Sequence, residues 1–192
     1  MIGISGLARA GKDTLAKSLK TIIEKEWGCE VEIIHLADTL KLDLDKFISS
    51  KFNFDVFTEK NEQKELIRPI LVAYGEAMKS KWGENIWLNK LYKNIEKEKF
   101  YIIADIRFDF EVKDLQEKRD GWVIHISKNG NEVPPNETEA INDPKVRAIV
   151  DQAHHWAAYG KDKIQECDGH ASVLWQMISQ ERKEKWKTTL NL

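Results

Sequence analysis

The chain has few cysteines, few prolines and no long apolar run, and each scarcity excludes a class of protein. Its 192 residues contain two cysteines, Cys29 and Cys167, at no metal-ligand spacing, so we expect two reduced thiols in a cytoplasmic protein. Four prolines and ten glycines leave no low-complexity tract. The sequence has no apolar run approaching the roughly 18 residues of a membrane span, so neither a membrane helix nor a signal peptide is predicted.

The chain also lacks a large excess of positive or negative charge. Thirty basic and 32 acidic residues give a net charge of −2, which lacks the strongly basic balance of nucleic-acid-binding proteins. We therefore predict no nucleic-acid partner and no membrane partner. Hydrophobic residues make up 42% of the chain, which is enough to form the core of one domain of this length.

The residues from Gly6 to Thr14 fit a phosphate-binding loop. Their sequence, GLARAGKDT, matches G-x-x-x-x-G-K, in which backbone N–H groups and a lysine hold nucleotide phosphates. The apolar residues before the loop predict a strand, and those after it recur at helical spacing as far as Trp27. We predict that nucleotide is bound by a set of loop residues: Gly6, Arg9, Ala10, Gly11, Lys12, Asp13 and Thr14.

Asp13 stands where this motif usually has a serine or threonine that ligates Mg²⁺. Carboxylate oxygen is also a magnesium ligand, so we predict a metal-linked role for Asp13 and Thr14. The alternative is that Asp13 only stabilises the N-terminus of the helix through its charge.

Strand and helix patterns alternate along the rest of the chain. Strands are predicted at 31–36, 100–104 and 122–126. Helices are predicted at 58–82, with a break or a helix start at Pro69, and at 84–99, 112–118, 145–159 and 171–186, with a loop at 128–144. The alternation predicts an α/β fold of the P-loop kinase type, in which helices flank a parallel sheet to give three layers.

Asp105 and Arg107 follow the clearest predicted strand. Ligands of open parallel sheets bind beyond the carboxyl ends of the strands, where these two side chains are expected to project. The carboxylate can orient Mg²⁺ or accept a proton, and the guanidinium can bind phosphate through two hydrogen bonds. A surface ion pair is the alternative. The nearby phosphate loop favours function, so Lys12, Asp105 and Arg107 are predicted to be catalytic.

Other charged residues are candidates for binding an acceptor or for closing the site. Asp38 and Lys41 share one face of a predicted helix, although a helix-capping aspartate beside a solvated lysine is the simpler interpretation. Arg68 could reach a substrate phosphate, and a solvated arginine is the commoner case. Lys145 or Arg147 could supply a late positive charge from a closing lid, with an ordinary surface loop as the alternative.

These segments, in this order, resemble the deoxynucleoside monophosphate kinases of bacteriophages. The resemblance spans about residues 1–147 and is carried by GLARAGKDT, HLADTLK, Arg68 with YGEAMK and Trp87, IIADIRFDFE and ETEAINDP. Val72 and Lys79 depart from the family pattern, which usually has glutamine and arginine there, so base preference cannot be carried over. Asp109 likewise replaces the usual proline.

The resemblance implies how the chain is organised. The core would lie at about 1–36 and 100–127, monophosphate-binding helices at about 38–99, a lid at about 128–150 and a C-terminal helix at about 170–187. The substrate-binding residues would be Asp38, Lys41, Arg68, Glu76 and Arg107. The lid would carry Lys145 and Arg147.

The implied activity is transfer of the γ-phosphoryl group of ATP, with Mg²⁺, to a (deoxy)nucleoside monophosphate in the cytoplasm, or the host cytoplasm for a phage protein. A homodimer is left open. A kinase of the phosphomevalonate type also resembles the Gly-Lys-Asp loop and the Asp-x-Arg, so a phosphomevalonate-like or dephospho-coenzyme A-like acceptor is the alternative. A nucleotide-binding regulator without catalysis is the third hypothesis.

Overall fold

The computed structural model of the chain describes residues 1–156 and 164–192. Within these ranges the strands are β1 (Ile2–Ser5), β2 (Val31–Ile34), β3 (Phe100–Ile106), β4 (Trp122–Lys128) and β5 (Gln152–Trp156). The helices are α1 (Lys12–Trp27), α2 (Leu36–Phe52), α3 (Asn61–Trp82), α4 (Ile86–Lys93), α5 (Asp109–Arg119), α6 (Glu137–Arg147), α7 (Ile164–Met177) and α8 (Gln180–Leu190).

The five strands form one parallel sheet in the order β2-β3-β1-β4-β5. The central strand is β1, in which Ile2 pairs with Ile102 of β3 on one side and with Trp122 of β4 on the other. Every residue of β1 and β3 is buried, as expected of parallel strands with helices on both faces. The predicted α/β fold with a parallel sheet flanked by helices is therefore confirmed.

The described chain divides into two compact units. Unit 1 comprises Met1–Ile34 and Glu96–Leu192 and contains the whole sheet. Its main core joins one face of the sheet to α1, α7 and α8, with Trp27 in edge-on contact with Trp175 at a centroid distance of 5.0 Å. Unit 2 comprises His35–Ile95 and contains α2, α3 and α4, with a small core of its own around Ile48.

The first strand and helix follow the sequence prediction closely. α1 ends at Trp27, and Gly28 then adopts a left-handed conformation with φ of 68°, as glycine commonly does after a helix. Of the helices in the described part of the chain, none is long and apolar enough to cross a membrane.

Several predicted helices have the wrong extent. The predicted helix 145–159 is wrong, because 152–156 form β5, while 157–159 lie outside the described residues. The helix predicted at 84–99 ends at Lys93. The single helix predicted at 171–186 is two helices, because the hydroxyl of Ser179 accepts a hydrogen bond from the Arg182 N–H and caps α8.

Two prolines lie inside helices, against the prediction. α3 runs through Pro69 without the predicted break, and α6, which includes Pro144, occupies much of the segment predicted as a loop. Proline removes one N–H and frees a carbonyl in the preceding turn. Both prolines are exposed, so we infer that water can hydrate the freed carbonyl and lessen the cost.

Candidate functional site

The phosphate loop joins β1 to α1, and three of its residues have positive φ. Gly6 has φ of 137°, Arg9 of 66° and Gly11 of 97°. A side chain at Gly6 is excluded, since its Cβ would lie 2.3 Å from the carbonyl oxygen of Ile126. Gly11 is the N-cap of α1, so the first N–H groups of that helix, which lack partners within the helix, face the loop. Such an arrangement of N–H groups at a helix N-terminus is suited to binding an anion.

Lys12 folds back across this loop. Its ammonium donates hydrogen bonds to the carbonyls of Gly6 at 2.8 Å and Leu7 at 3.0 Å. Burial lowers the pKa of Lys12, and the positive charge of Arg107 lowers it further. Three carboxylates act in the opposite direction: Glu139, Asp105 and Asp13. Because a bound phosphate would add to their effect, the site favours an anion beside Lys12.

Asp105 and Arg107 lie at the carboxyl end of β3, next to β1 in the sheet. Asp105 is inside the strand rather than after it, and is 8% exposed. Arg107 follows the strand, with its guanidinium half exposed. The Glu111 carboxylate accepts the N–H of Arg107 at 2.7 Å and that of Phe108 at 3.0 Å, which fixes the backbone at the strand end. The structure therefore brings Lys12, Asp105 and Arg107 together at the carboxyl ends of the strands.

One face of α6 completes this site. Glu139 Oε2 accepts the Ala8 N–H at 2.9 Å, and one turn later Asp143 Oδ1 lies 2.9 Å from Nε2 of the buried His125. Val146 is buried on the same face. The resulting cavity is lined by Ser5, Gly6, Lys12, Ile106, Arg107, Glu139, Asp143 and Val146.

The sequence prediction includes neither Glu139, Asp143 nor His125 as site residues. Both carboxylates fall in the segment interpreted as a loop, where side-chain directions cannot be assigned. The spacing of four residues between Glu139 and Asp143 is the available signal, since it places them on one helix face. It becomes informative only once α6 is recognised as a helix.

A second cleft adjoins the loop on the side of β4 and β5. It is open to solvent and is lined by Leu7, Ala10, His125, Ile126, Ser127, Asn131, Glu132, Asp143, Arg147 and His155. Asn131 Nδ2 donates to the Ala8 carbonyl at 3.0 Å, so the cleft and the loop share a hydrogen bond. Of the two predicted lid residues, Arg147 lines this cleft, whereas Lys145 is exposed on α6.

Asp38 and Lys41 lie in unit 2. Asp38 does not cap α2 as predicted, because the N-cap is His35 and Asp38 is in the first turn. Its carboxylate is 3.4 Å from His35 Nδ1 and 2.9 Å from the Lys41 ammonium. Burial alone would raise the pKa of Asp38, but its hydrogen bonds with His35 and Lys41 outweigh burial and lower it. The two predicted residues therefore form an ion pair with each other.

Arg68 and Glu76 also lie in unit 2, on α3. Arg68 is inside the helix and exposed, with its guanidinium 2.9 Å from the Glu65 carboxylate. Glu76 lies 3.2 Å from the Lys79 ammonium. Exposed pairs of this kind contribute little to stability. The substrate-binding roles of these residues remain predictions.

The residues at the start of α1 fit Mg²⁺ that arrives with a nucleotide. Asp13 is exposed and Thr14 half-buried there, which gives one carboxylate and one hydroxyl beside the anion site. In residues 1–156 and 164–192, no group of three His, Cys, Asp or Glu side chains is placed to hold a metal ion. Because Mg²⁺ usually takes one or two protein ligands plus phosphate oxygens, such a protein cage is not required.

Comparison with known proteins identifies a family whose model matches this chain. A family model described as phosphomevalonate kinase matches residues 4–120, which include the phosphate loop and both Asp105 and Arg107. The crystal structure of APE1195 matches over 93% of this chain and 96% of that chain, with 13% sequence identity and a TM-score of 0.37. No curated protein matches the chain.

Proposed function

The chain belongs to the phosphomevalonate kinase family, and we propose that it transfers the γ-phosphoryl group of ATP to the phosphate of a small acceptor, phosphomevalonate first among those to test. The observation that supports this most directly is the convergence of two cations on one cavity. Lys12 reaches it from the loop after β1, and Arg107 reaches it from the end of β3. Positive charge and oriented N–H groups are what phosphoryl transfer requires.

A phosphate acceptor is already anionic, so it suits a site made of cations and N–H donors. An oxygen of the acceptor phosphate attacks the γ-phosphorus, and the bond from that phosphorus to the bridging oxygen of ADP breaks. A phosphate monoester loses its second proton near pH 6, so its attacking oxygen is already anionic at neutral pH. The principal task of the protein is therefore to hold the anions together.

Each site residue has a proposed part in holding them. Lys12 and the loop N–H groups bind the ATP phosphates, and Arg107 neutralises charge on the transferred group. Asp13 and Thr14 would hold Mg²⁺, which would further neutralise the phosphates. Asp105 orients the acceptor or the metal.

The second cleft is the proposed place of the nucleoside of ATP. It adjoins the loop through Leu7 and Ala10 and shares Asp143 with the cavity at Lys12. Ser127, Asn131 and His155 provide it with donors and acceptors that suit a ribose and a base. This assignment leaves the cavity at Lys12 and Arg107 for the phosphates.

A nucleoside monophosphate is the second candidate acceptor. It rests on the resemblance to the phage kinases, which spans about residues 1–147 and includes segments such as HLADTLK and ETEAINDP. The family match supports the phosphomevalonate type instead, and nothing in the comparisons supports the phage enzymes. We therefore rank the nucleoside monophosphate below phosphomevalonate.

A panel of acceptors tests the proposal. The protein is incubated with ATP, Mg²⁺ and one of phosphomevalonate, dephospho-coenzyme A or a (deoxy)nucleoside monophosphate, and both ADP and the phosphorylated product are measured. We expect one ADP for each diphosphate product with phosphomevalonate. Product formed only from a nucleoside monophosphate would move the assignment to the second candidate. Nucleotide binding without phosphorylation of any acceptor would support the regulator instead.

A further inference from the structure

The carboxylate of Glu139 lies beside two groups that we predict to bind phosphate, the Ala8 N–H and Arg107. Its Oε2 accepts the backbone N–H of Ala8, within the phosphate loop, at 2.9 Å. Its Oε1 lies 3.8 Å from Nη1 of Arg107 and 3.4 Å from Nδ2 of Asn136. The side chain is only 13% exposed. A loop N–H and a guanidinium are the partners that a nucleotide phosphate would take.

The position of Glu139 is fixed by the helix that carries it. The side chain of Asn136 accepts the Glu139 N–H at 2.9 Å and caps α6. One turn further on, Asp143 is bonded to His125, which is 2% exposed on β4. The next peptide unit is also held, because the Ala8 carbonyl accepts a hydrogen bond from Asn131. Hydrogen bonds within α6 and to the phosphate loop therefore hold Glu139 and Ala8 in contact.

Glu139 also neutralises the site electrostatically. Arg107 lowers the pKa of Lys12 by repulsion between like charges, whereas Glu139 raises it. A nucleotide phosphate would bring negative charge to the same cations, and the Ala8 N–H cannot donate strongly to two oxygens at once. The carboxylate and the phosphate therefore compete for the same partners.

We propose that Glu139 is a built-in competitor that occupies the phosphate position of the loop until a nucleotide displaces it. The proposal rests on the proposed binding of nucleotide at this loop. When phosphate takes the Ala8 N–H, Glu139 loses that partner and faces a like charge. Binding of nucleotide and undocking of the first turn of α6 are then coupled.

Binding of tripolyphosphate and of ATP without Mg²⁺, measured by calorimetry, tests this. Because a charge-assisted hydrogen bond to the Ala8 N–H no longer has to be displaced, we expect Glu139→Ala to bind both ligands about tenfold or more tightly than the wild type. The affinity of Glu139→Gln should lie between those of the wild type and Glu139→Ala, because its amide oxygen can still accept a hydrogen bond from the Ala8 N–H. The control is Glu137→Gln, an exposed acidic residue in the same helical turn, which should leave the affinity unchanged.

Hydrogen exchange of the Ala8 N–H gives a readout without ligand, and it should be faster in Glu139→Ala. Equal or weaker binding by both Glu139 variants, with unchanged Ala8 exchange, would overturn the inference while leaving the kinase proposal intact. Tighter binding without phosphorylation of any acceptor would support the inference and overturn the proposed function. If Glu139→Ala fails to fold, the Glu139→Gln result decides alone. Failure of all variants to bind either ligand would overturn both.

Discussion

The indole N–H of Trp156 donates a hydrogen bond to the backbone carbonyl of Ala10 over 2.9 Å. The bond ties the last residue of β5 to the phosphate loop, and the indole is 1% exposed. The ring also lies against Gly11, since a Cβ there would stand 2.7 Å from Cζ2 of Trp156. A buried tryptophan therefore supports the loop from behind, where it cannot contact a ligand in solvent.

This packing makes Gly11 sensitive to the smallest substitution. Gly11→Ala would place a methyl group against Trp156 and would also hold alanine at a φ of 97°. We expect a loss of more than about 2 kcal/mol in the free energy of unfolding, together with weaker ATP binding. Urea denaturation and calorimetry measure the two effects.

Gly28→Ala provides the matched control. Gly28 also has positive φ, at 68°, but a Cβ there would meet nothing within 4 Å. It should cost about 1 kcal/mol of stability and leave ATP binding intact. Equal losses in the two variants would show that the contact with Trp156 is unimportant.

Lys12→Met tests the charge at the loop while retaining most of the side-chain volume. We expect turnover to fall by about a hundredfold or more, because the ammonium stabilises charge that develops on the phosphates. The measurement is the initial rate with saturating ATP and the best acceptor. Lys17→Met, at an exposed position on the same helix, should keep the wild-type rate. A Lys12→Met enzyme with nearly normal turnover would refute the assignment of the loop.

Arg107 is predicted to act through the paired N–H donors of its guanidinium as well as through its charge. Arg107→Ala should slow transfer by about a hundredfold, and Arg107→Lys, which keeps the charge but loses the paired donors, by about tenfold. Arg119→Ala, at the far end of α5, is the control and should leave the rate unchanged. An unaffected rate in Arg107→Ala would favour the interpretation of Asp105 and Arg107 as a structural pair.

His154 should make stability depend on pH. Its Nε2 lies 2.8 Å from Nδ1 of His170, and its pKa is lowered by burial first and then by His170 and His155. The unfolded chain therefore binds the proton more readily than the folded protein. Stability from this group is present above the unfolded pKa of about 6.5 and is lost as pH falls toward the lower folded pKa.

Urea denaturation at pH 8 and pH 5.5 measures this contribution. The wild type should lose more unfolding free energy between the two values than His154→Gln, which has no proton to gain. Parallel losses in both proteins would assign the pH dependence to other groups.

The parts of the fold that local sequence could predict are those with a strong apolar period. β1, β3 and β4 are fully or largely buried, and their continuous apolar runs identify them. β5 reads QAHHW, and its residues alternate between half-buried and exposed up to Trp156. Among the described residues β5 pairs only with β4, as an outer strand of the sheet, so it needs no apolar run and leaves little local signal.

The candidate site divides in the same way. Lys12 is identified by its motif, and Asp105 and Arg107 by their place at the end of a strand. Glu139 has neither signal, because its partner Ala8 is 131 positions away in the sequence. Its role depends on how α6 packs on the loop, which is tertiary structure and cannot be read from the segment alone.

The sheet order also sets when the phosphate loop can form as the protein is made. The loop follows β1, and Ile2 of that strand pairs with Ile102 and Trp122. At about 5–20 residues per second, the ribosome needs several seconds or more after β1 to complete both neighbours. Unit 2, whose core lies within His35–Ile95, is synthesised in the interval and needs no such wait. The phosphate loop is thus translated before unit 2 but acquires its shape after it, and the apolar side chains of β1 remain without their strand partners meanwhile.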